Sequence, residues 1–482
     1  MQTHKASLST QIFYGSGSIA IGIKNNLLGT YLLIYYNQVL GLDAGIAALA
    51  MAIALAVDAV SDPLVGIWSD RIRTRWGRRH PFMYAALIPF AGSYYFLLAD
   101  PGEISDQTLF FRLLVLLIIL RLSMTFYEVP RGALAPELSK DYDQRNALSA
   151  WAMAFGWLGG AGIAFVANRY FLDSFVDREG YQTLAFWGGL GIFVGGMVSC
   201  LGTHRNIPNL HAPEPRSMHY AVFLREAKET LSNRSWIVLF IAGCIYALLV
   251  GIEQGVGTYY NEYLWQWKPG VIAPFAFFAA LSVIGAVAFA PLIARGRNKK
   301  HIAVGIFMVT IVVGPLPVFL RLLDLTYGTN FSPDNGSDLL WWVLLIHTCV
   351  MAAMGALGFV FIGSMGMEIV EQVQNRTGRR EEGLLGTVNS FVHKLIGAGG
   401  VLISGLIISM VGFDAPGLDK STLYGGAEII EFGWIHVIIA FVMPIFSTSL
   451  VLLYDIDRDQ HDEHLTTLGY READQSRPIE GA

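Results

Sequence analysis

The chain has 482 residues, 54% of them hydrophobic and only 15% charged, with a formal net charge of −5. A soluble domain carries about 25% charged residues, so this composition excludes an ordinary soluble enzyme and points to helices whose outer faces meet lipid. Cys200, Cys244 and Cys349 sit in apolar runs and give neither a disulfide framework nor a CxxC metal site.

Crossing roughly 30 Å of hydrocarbon takes about 20 apolar residues. The polar start, MQTHKASLSTQ, has no signal-peptide core and leads into a first span near 12–40. Further spans are predicted near 45–69, 81–99, 109–136, 148–170 and 184–203, then near 235–265, 271–294, 301–323, 339–371, 384–411 and 427–454. The expected architecture is an all-α membrane protein of twelve transmembrane helices. Residues 1–203 form one six-helix half, 204–234 a middle loop, 235–454 the second half and 455–482 a polar tail. Within the middle loop, HYAVFLREAKETL reads equally as a helix on the membrane surface or as a plain linker.

Basic residues crowd alternate loops. Arg71, Arg73, Arg75, Arg78 and Arg79 follow the second span, Arg295, Arg297, Lys299 and Lys300 the eighth, and Arg376, Arg379 and Arg380 the tenth. The intervening loops DPGEISDQ and DLTYGTNFSPDNGSD have no basic residue. Positive charge marks the cytoplasmic side, so both termini are expected there and the membrane is expected to be the cell's inner one. A short basic loop joins spans two and three, and another joins spans eight and nine, six spans later. That repeat is the layout of parallel six-helix halves with a site between them at mid-membrane, the major facilitator fold.

An ionisable side chain inside a span costs at least about 2.5–3.5 kcal/mol, so it needs a cavity, a partner or a task. In the second span, LAVDAVSDPLVGIWSD places Asp58 and Asp62 four apart on one face, with Ser61 beside them. Two such carboxylates repel unless a cation or proton lies between them, and sodium is a hard cation that takes oxygen ligands. The alternative is a pair held by arginines of neighbouring helices. Asp70, at the helix end among arginines, reads as a gate charge together with Arg71, Arg78 and Arg295.

The fourth span, RLSMTFYEVPRGALAPEL, carries Thr125 one turn before Glu128, with Arg121 and Arg131 as ion partners of Glu128 or of another helix. In the eleventh span Lys394 stands mid-way and is expected to neutralise Asp58 and Asp62; His393 beside it reads as a packed neighbour. Lys24 and Asn25 in the first span and Glu253 in the seventh are candidate solute contacts. Tyr31, Tyr35, Tyr36, Tyr259 and Tyr260 either stack on solute or pack helices. There is no GxSxG, HExxH or Walker-type loop, so neither an enzyme nor an ATP-driven pump is expected.

The strings DAVSDPLVGIWSDRIRTRWGRRHPF and TGRREEGLLGTVNSFVHKLIGAGG resemble signatures of the glycoside–pentoside–hexuronide:cation symporter family, the melibiose-carrier branch of the major facilitator superfamily. NNLLGTYLLIYYNQVLGL and YEVPRGALAPELSKDYDQRNALSA are similar to it as well. The resemblance implies that Asp58 and Asp62 hold the coupling cation, that Thr125 lies near it, that Glu128 contacts solute and that Lys394 is the family's eleventh-helix lysine. Where the melibiose carrier has a first-helix aspartate, a fifth-helix arginine, a fourth-helix tryptophan and a second-helix arginine, this chain has Gly22, Ala152, Gly132 and Leu55. A galactoside pocket is therefore not implied, and Lys24 with Arg131 suits an anionic solute.

The expected function is secondary active symport of a sugar-like or anionic organic solute, coupled to Na+ or H+ by alternating access. No other cofactor or nucleic acid is expected, and the partners are the solute and membrane lipid around a monomer. Alternatives are a lysolipid or amphiphile symporter on the same fold and a non-transporting membrane receptor.

Overall fold

The structure is a computed structural model that describes residues 6–139, 142–207, 231–378, 382–413 and 420–456, together with 460, 464, 466 and 467. Arg379, Arg380, the HYAVFLREAKETL segment up to residue 230 and most of the tail lie outside the described residues. The spans are α1 (8–39), α2 (Ala44–Arg71), α3 (His80–Leu98), α4 (Asp106–Leu138), α5 (Tyr142–Val166, with the π turn Ala167–Phe171) and α6 (Arg178–His204). The second half contains α7 (Arg234–Leu264), α8 (Pro269–Ala294), α9 (Lys299–Tyr327), α10 (Asp338–Thr377), α11 (Glu382–Met410) and α12 (Ala427–Val451). All twelve predicted spans are present, within a few residues of their expected ends.

Eleven of these are apolar and long enough to cross a membrane, although α7 breaks at Gln254–Gly255 and α9 at Gly314–Pro315. The twelfth, α1, is interrupted by π segments at Leu27–Tyr31 and Tyr35–Val39. Side-chain caps set where several spans begin. Asp43 accepts the Ile46 amide at 2.8 Å, Asn233 the Trp236 amide at 3.0 Å, and Ser337 the Leu340 amide at 3.2 Å. Each satisfies a donor that the first helical turn leaves free.

Glycine crossings repeat in the two halves. A Cβ on Gly22 of α1 would lie 2.0 Å from the Gly156 carbonyl oxygen of α5, and one on Gly251 of α7 would lie 2.3 Å from the Gly397 carbonyl oxygen of α11. Without a hydrophobic drive inside lipid, such backbone approach is what holds helices together. It also explains why α1 carries no acidic side chain at position 22: the space belongs to the α5 backbone.

The halves are joined at the end away from the termini. The Gly255 amide donates to the Gly29 carbonyl at 2.9 Å and the Thr258 hydroxyl to the Thr30 carbonyl at 2.7 Å. Tyr259 donates to Asn37 at 2.7 Å, and Tyr263 to Gln38 at 2.8 Å. One apolar core runs across both halves there, from Tyr36 and Leu42 to Tyr263 and Phe413. At the terminus-bearing end the second half has a separate core around Phe361, Met365 and Tyr454. Ion pairs among the described residues at that end include Asp70–Arg79 at 2.5 Å and Arg78–Glu137 at 2.9 Å in the first half and Lys299–Glu368 at 2.8 Å in the second.

Gly22→Val forces α1 off α5. Overpacking costs about 1–3 kcal/mol, so the purified variant should unfold at lower temperature than wild type. Gly162→Ala, on the same α5 but with nothing within 4 Å of the added atom, should leave the unfolding temperature unchanged.

Candidate cation and solute site

Three spans bring their charges to one point. Asp58 of α2 is fully buried, while the Asp62 side chain, one turn on, is 25% exposed. The Lys394 ammonium of α11 donates to Asp58 at 3.0 Å and also to Asp62. Arg121 of α4 lies 3.4 Å from Asp58. Thr125 Oγ1 lies 2.9 Å from an Asp58 oxygen and 3.0 Å from an Asp62 oxygen, and its single proton can serve one of them at a time. The Ser61 hydroxyl donates to the Asp58 backbone carbonyl at 3.1 Å and touches Thr125 at 3.4 Å.

Two carboxylates thus face two cations, and the cluster is neutral. It is also graded: Asp58 and Arg121 form a dry inner pair, Asp62 and Lys394 a partly wetted outer pair. The carboxylate and hydroxyl oxygens are hard donors suited to a cation such as sodium. Among the described residues no group of three or more His, Cys, Asp or Glu side chains is placed to hold a metal ion.

Lys24 of α1 is only 3% exposed. Its electrostatic neighbours are Arg121, Glu128, Asp58 and Lys394, yet among the described residues it makes no hydrogen bond or ion pair. Glu128 is half-buried and equally without a partner. Asn25 is exposed.

Arg121 and Arg131, open in the sequence to pairing with Glu128 or with another helix, each take the other helix. Arg121 turns to Asp58, and Arg131 donates to the Tyr14 carbonyl at 2.9 Å and Ser18 Oγ at 2.6 Å while stacking over the Tyr14 ring. Arg131 therefore ties α4 to α1. Glu253 is bound within the second half, 2.8 Å from His436 of α12. Tyr31, Tyr35 and Tyr36 are fully buried, their hydroxyls spent on Asn168 and on the Leu98 and Leu97 carbonyls; they pack helices, as do Tyr259 and Tyr260. Of the gate charges, Asp70 and Arg78 are paired as above, while Arg71 and Arg295 are exposed.

Sequence reasoning named Arg121 as an ion-pairing charge but not its partner Asp58, although it lies four residues before Thr125 and so shares its face. Two further residues were missed. Glu137, which gathers Arg78 and Arg79 at 2.9 Å each, and His436 gave no local signal.

The sequence matches the profile of the MFS/sugar transport protein family over residues 13–458. The chain belongs to that family, the glycoside–pentoside–hexuronide branch of the major facilitator superfamily. The carrier is similar to the uncharacterised symporter YnaJ of Bacillus subtilis, 24% identical over 97% of this chain and 96% of the relative. It is 23% identical, over 85% of each chain, to an Escherichia coli protein provisionally named a 2,3-dihydroxypropane-1-sulfonate exporter. Among solved structures it resembles a bacterial homologue of the human drug peptide transporters, with a TM-score of 0.60, 13% identity, and coverage of 92% of this chain and 97% of that one; that likeness concerns the fold. The symporter is a multi-pass membrane protein, a secondary transporter of sugar-like solutes and not an enzyme.

Breaking a buried ion pair by removing one partner costs about 3–5 kcal/mol. Asp58→Asn strands the Arg121 guanidinium and should lower the unfolding temperature of the purified carrier markedly. Asp62→Asn leaves Lys394 with Asp58 and some solvent, and should lower it less. Equal losses would show that the graded pairing does not govern stability.

Proposed function

We propose that the carrier couples entry of one monovalent cation, sodium before proton, to symport of an anionic sugar-like solute across the cell's inner membrane, with both termini cytoplasmic. The observation that carries this reading is the Lys394 ammonium lodged between Asp58 and Asp62. With Lys394 in place the cluster is neutral. A monovalent cation entering between the carboxylates replaces the ammonium charge for charge, whereas a divalent one would leave an excess positive charge. Once displaced, Lys394 no longer ties α11 to α2, and the halves can rock. Solute then binds near Lys24 and Glu128. Lys24 is an unpaired buried cation that an anionic group would satisfy, and similarity to a carrier named for a sulfonate agrees with that choice. The basic loops support the orientation. The Asp70–Arg79–Glu137 cluster would form part of the inner gate.

In proteoliposomes with a sodium gradient, Asp58→Asn and Asp62→Asn should each abolish accumulation of labelled solute. Full gradient-driven uptake by either variant would remove the cation-site assignment. Lys394→Ala removes the competitor, so sodium binding should be kept or tightened and solute exchange should survive better than net uptake. Loss of sodium binding and exchange together, in a folded protein, would make Lys394 a direct ligand contact instead.

Lys24→Ala should weaken a hexuronate far more than the neutral hexose. A lost charge-assisted hydrogen bond is worth about 1.5–3 kcal/mol, roughly a 10- to 150-fold loss of affinity. Equal weakening of both ligands would mean that Lys24 is structural.

A further inference from the structure

The second half contains a charged group that the cation cluster does not use. The regular helix of α7 ends at Glu253, and Gly255, at φ +82, turns the chain before it resumes at Val256. The Glu253 side chain is 43% exposed although it stands inside a span. A carboxylate at that depth requires water or a partner. Its partner is His436 of α12, whose side chain is 9% exposed; Nε2 lies 2.8 Å from the carboxylate. On the other side of the ring, Nδ1 lies 2.9 Å from the Tyr260 hydroxyl. Glu253 and Tyr260 lie on either side of the break at Gly255, and both reach His436 of α12.

We propose that Glu253, His436 and Tyr260 form a proton-binding site, separate from the Asp58–Asp62 cluster and loaded through Glu253. Without the extra proton, the Tyr260 hydroxyl donates to Nδ1 and the Nε2–H donates to the Glu253 carboxylate, so every polar atom is satisfied and the site carries −1. The neutral ring has a second tautomer of the same charge, in which Nδ1–H donates to the phenol oxygen and a bare Nε2 faces the carboxylate; a proton taken by the exposed Glu253 carboxylate passes to that Nε2. The product is an imidazolium donating to the carboxylate and to the phenol oxygen, with a site charge of zero. Both states keep the ring bonded on two sides, so loading needs no rearrangement of the fold.

Other charges around His436 are otherwise engaged or remote. On α7, Tyr246 is an electrostatic neighbour of Glu253 and is exposed. On α12, Phe432 stacks one turn away at 6.3 Å, while Glu428 and Glu431 lie nearer the outer end. From α9, Leu322 packs on Gly433. Arg321 is spent on the Pro333 carbonyl and the Trp265 ring, and Asp324 on Thr329 and the Phe331 and Ser332 amides. The turn Lys420–Leu423 meets only the outer start of α12, about two turns or more from His436. Glu253 is thus the carboxylate in position to balance an imidazolium. In a carrier of anionic solute, which is the reading proposed above, filling this site removes one negative charge from the second half.

The test needs no solute. Potentiometric titration of the purified full-length carrier between pH 5 and pH 8, where an imidazole changes charge, should show about one proton more bound by wild type than by His436→Gln. Glu253→Gln, which strips the imidazolium of its counter-charge, should lose that proton too. Asp58→Asn should retain it, which separates this site from the cation cluster. Identical wild-type and His436→Gln titrations would overturn the proposal and leave a structural hydrogen-bond chain. A second measurement guards against a misfolded variant. In wild type labelled with ¹⁵N-histidine, the ring bonded to Glu253 should carry N–H on both nitrogens at pH 5 and on one at pH 8; a single N–H throughout would equally overturn it.

Discussion

Two carboxylates inside a membrane cannot stand alone, and most of the carrier's arrangement follows from that constraint. Asp58 and Asp62 share one face of α2 because they are four residues apart, and their repulsion has to be cancelled by whatever faces them. The fold supplies Arg121 from the same half and Lys394 from the other. The first cation is buried and permanent; the second is partly wetted and belongs to the element that must move. Ion pairs of this kind add little net stability, since desolvation offsets attraction. Their value lies in the cost of leaving one partner uncompensated. On the proposed reading, a cluster that must stay neutral permits α11 to leave α2 only when another single positive charge takes its place.

The remaining contacts divide into those that keep each half rigid and those that can open. Within a half, α1 crosses α5 and α7 crosses α11 through glycines, backbone against backbone, so there is no flexible side chain to yield. Between the halves, the end away from the termini is closed by neutral hydrogen bonds: Tyr259 to Asn37, Tyr263 to Gln38, Gly255 to Gly29. Each is worth only about 1 kcal/mol net, and water entering the seam can replace it. Three spans end in π segments at this seam, Tyr35–Val39, Ala167–Phe171 and Tyr260–Leu264. Irregular turns of that kind are common at functional sites and release backbone groups for exchange of partners.

What could be read from the sequence was whatever a single helix determines. Span positions, the Asp58/Asp62 face and the incongruous Lys394 are all local: each is a charge in an apolar run, or a spacing. The choice of Lys394 as partner to the two aspartates also came through, because it was the only mid-span lysine of the second half. Arg131 shows where that reasoning stops. Its spacing of three from Glu128 puts both on one helix face, and an ion pair looked natural. The structure turns it to the Tyr14 carbonyl and Ser18 of α1 instead, a choice made by which span lies against α4. His436 and Glu137 were invisible for the same reason, since their partners lie 183 and about 60 residues away in sequence. Gly22 is the converse case: an absent acidic residue that reads as lost chemistry is a space filled by α5.

The unpaired groups then constrain the solute. A cation and a carboxylate lie near one another in the first half, Lys24 almost fully buried and Glu128 half so, and neither has a hydrogen-bond partner among the described residues. An ionised carboxylate only accepts, and an ammonium only donates. A ligand satisfying both must present hydroxyl donors to Glu128 and an acceptor to Lys24. A neutral sugar offers both kinds of atom but leaves the Lys24 charge without an opposite one in a low-dielectric setting, where an unmatched charge is most costly. A simple inorganic anion answers Lys24 but gives Glu128 nothing except repulsion. A polyhydroxylated solute with one anionic group meets both demands at once. It also keeps the bookkeeping of the proposed cycle even, since its negative charge travels with the single positive charge that displaces Lys394.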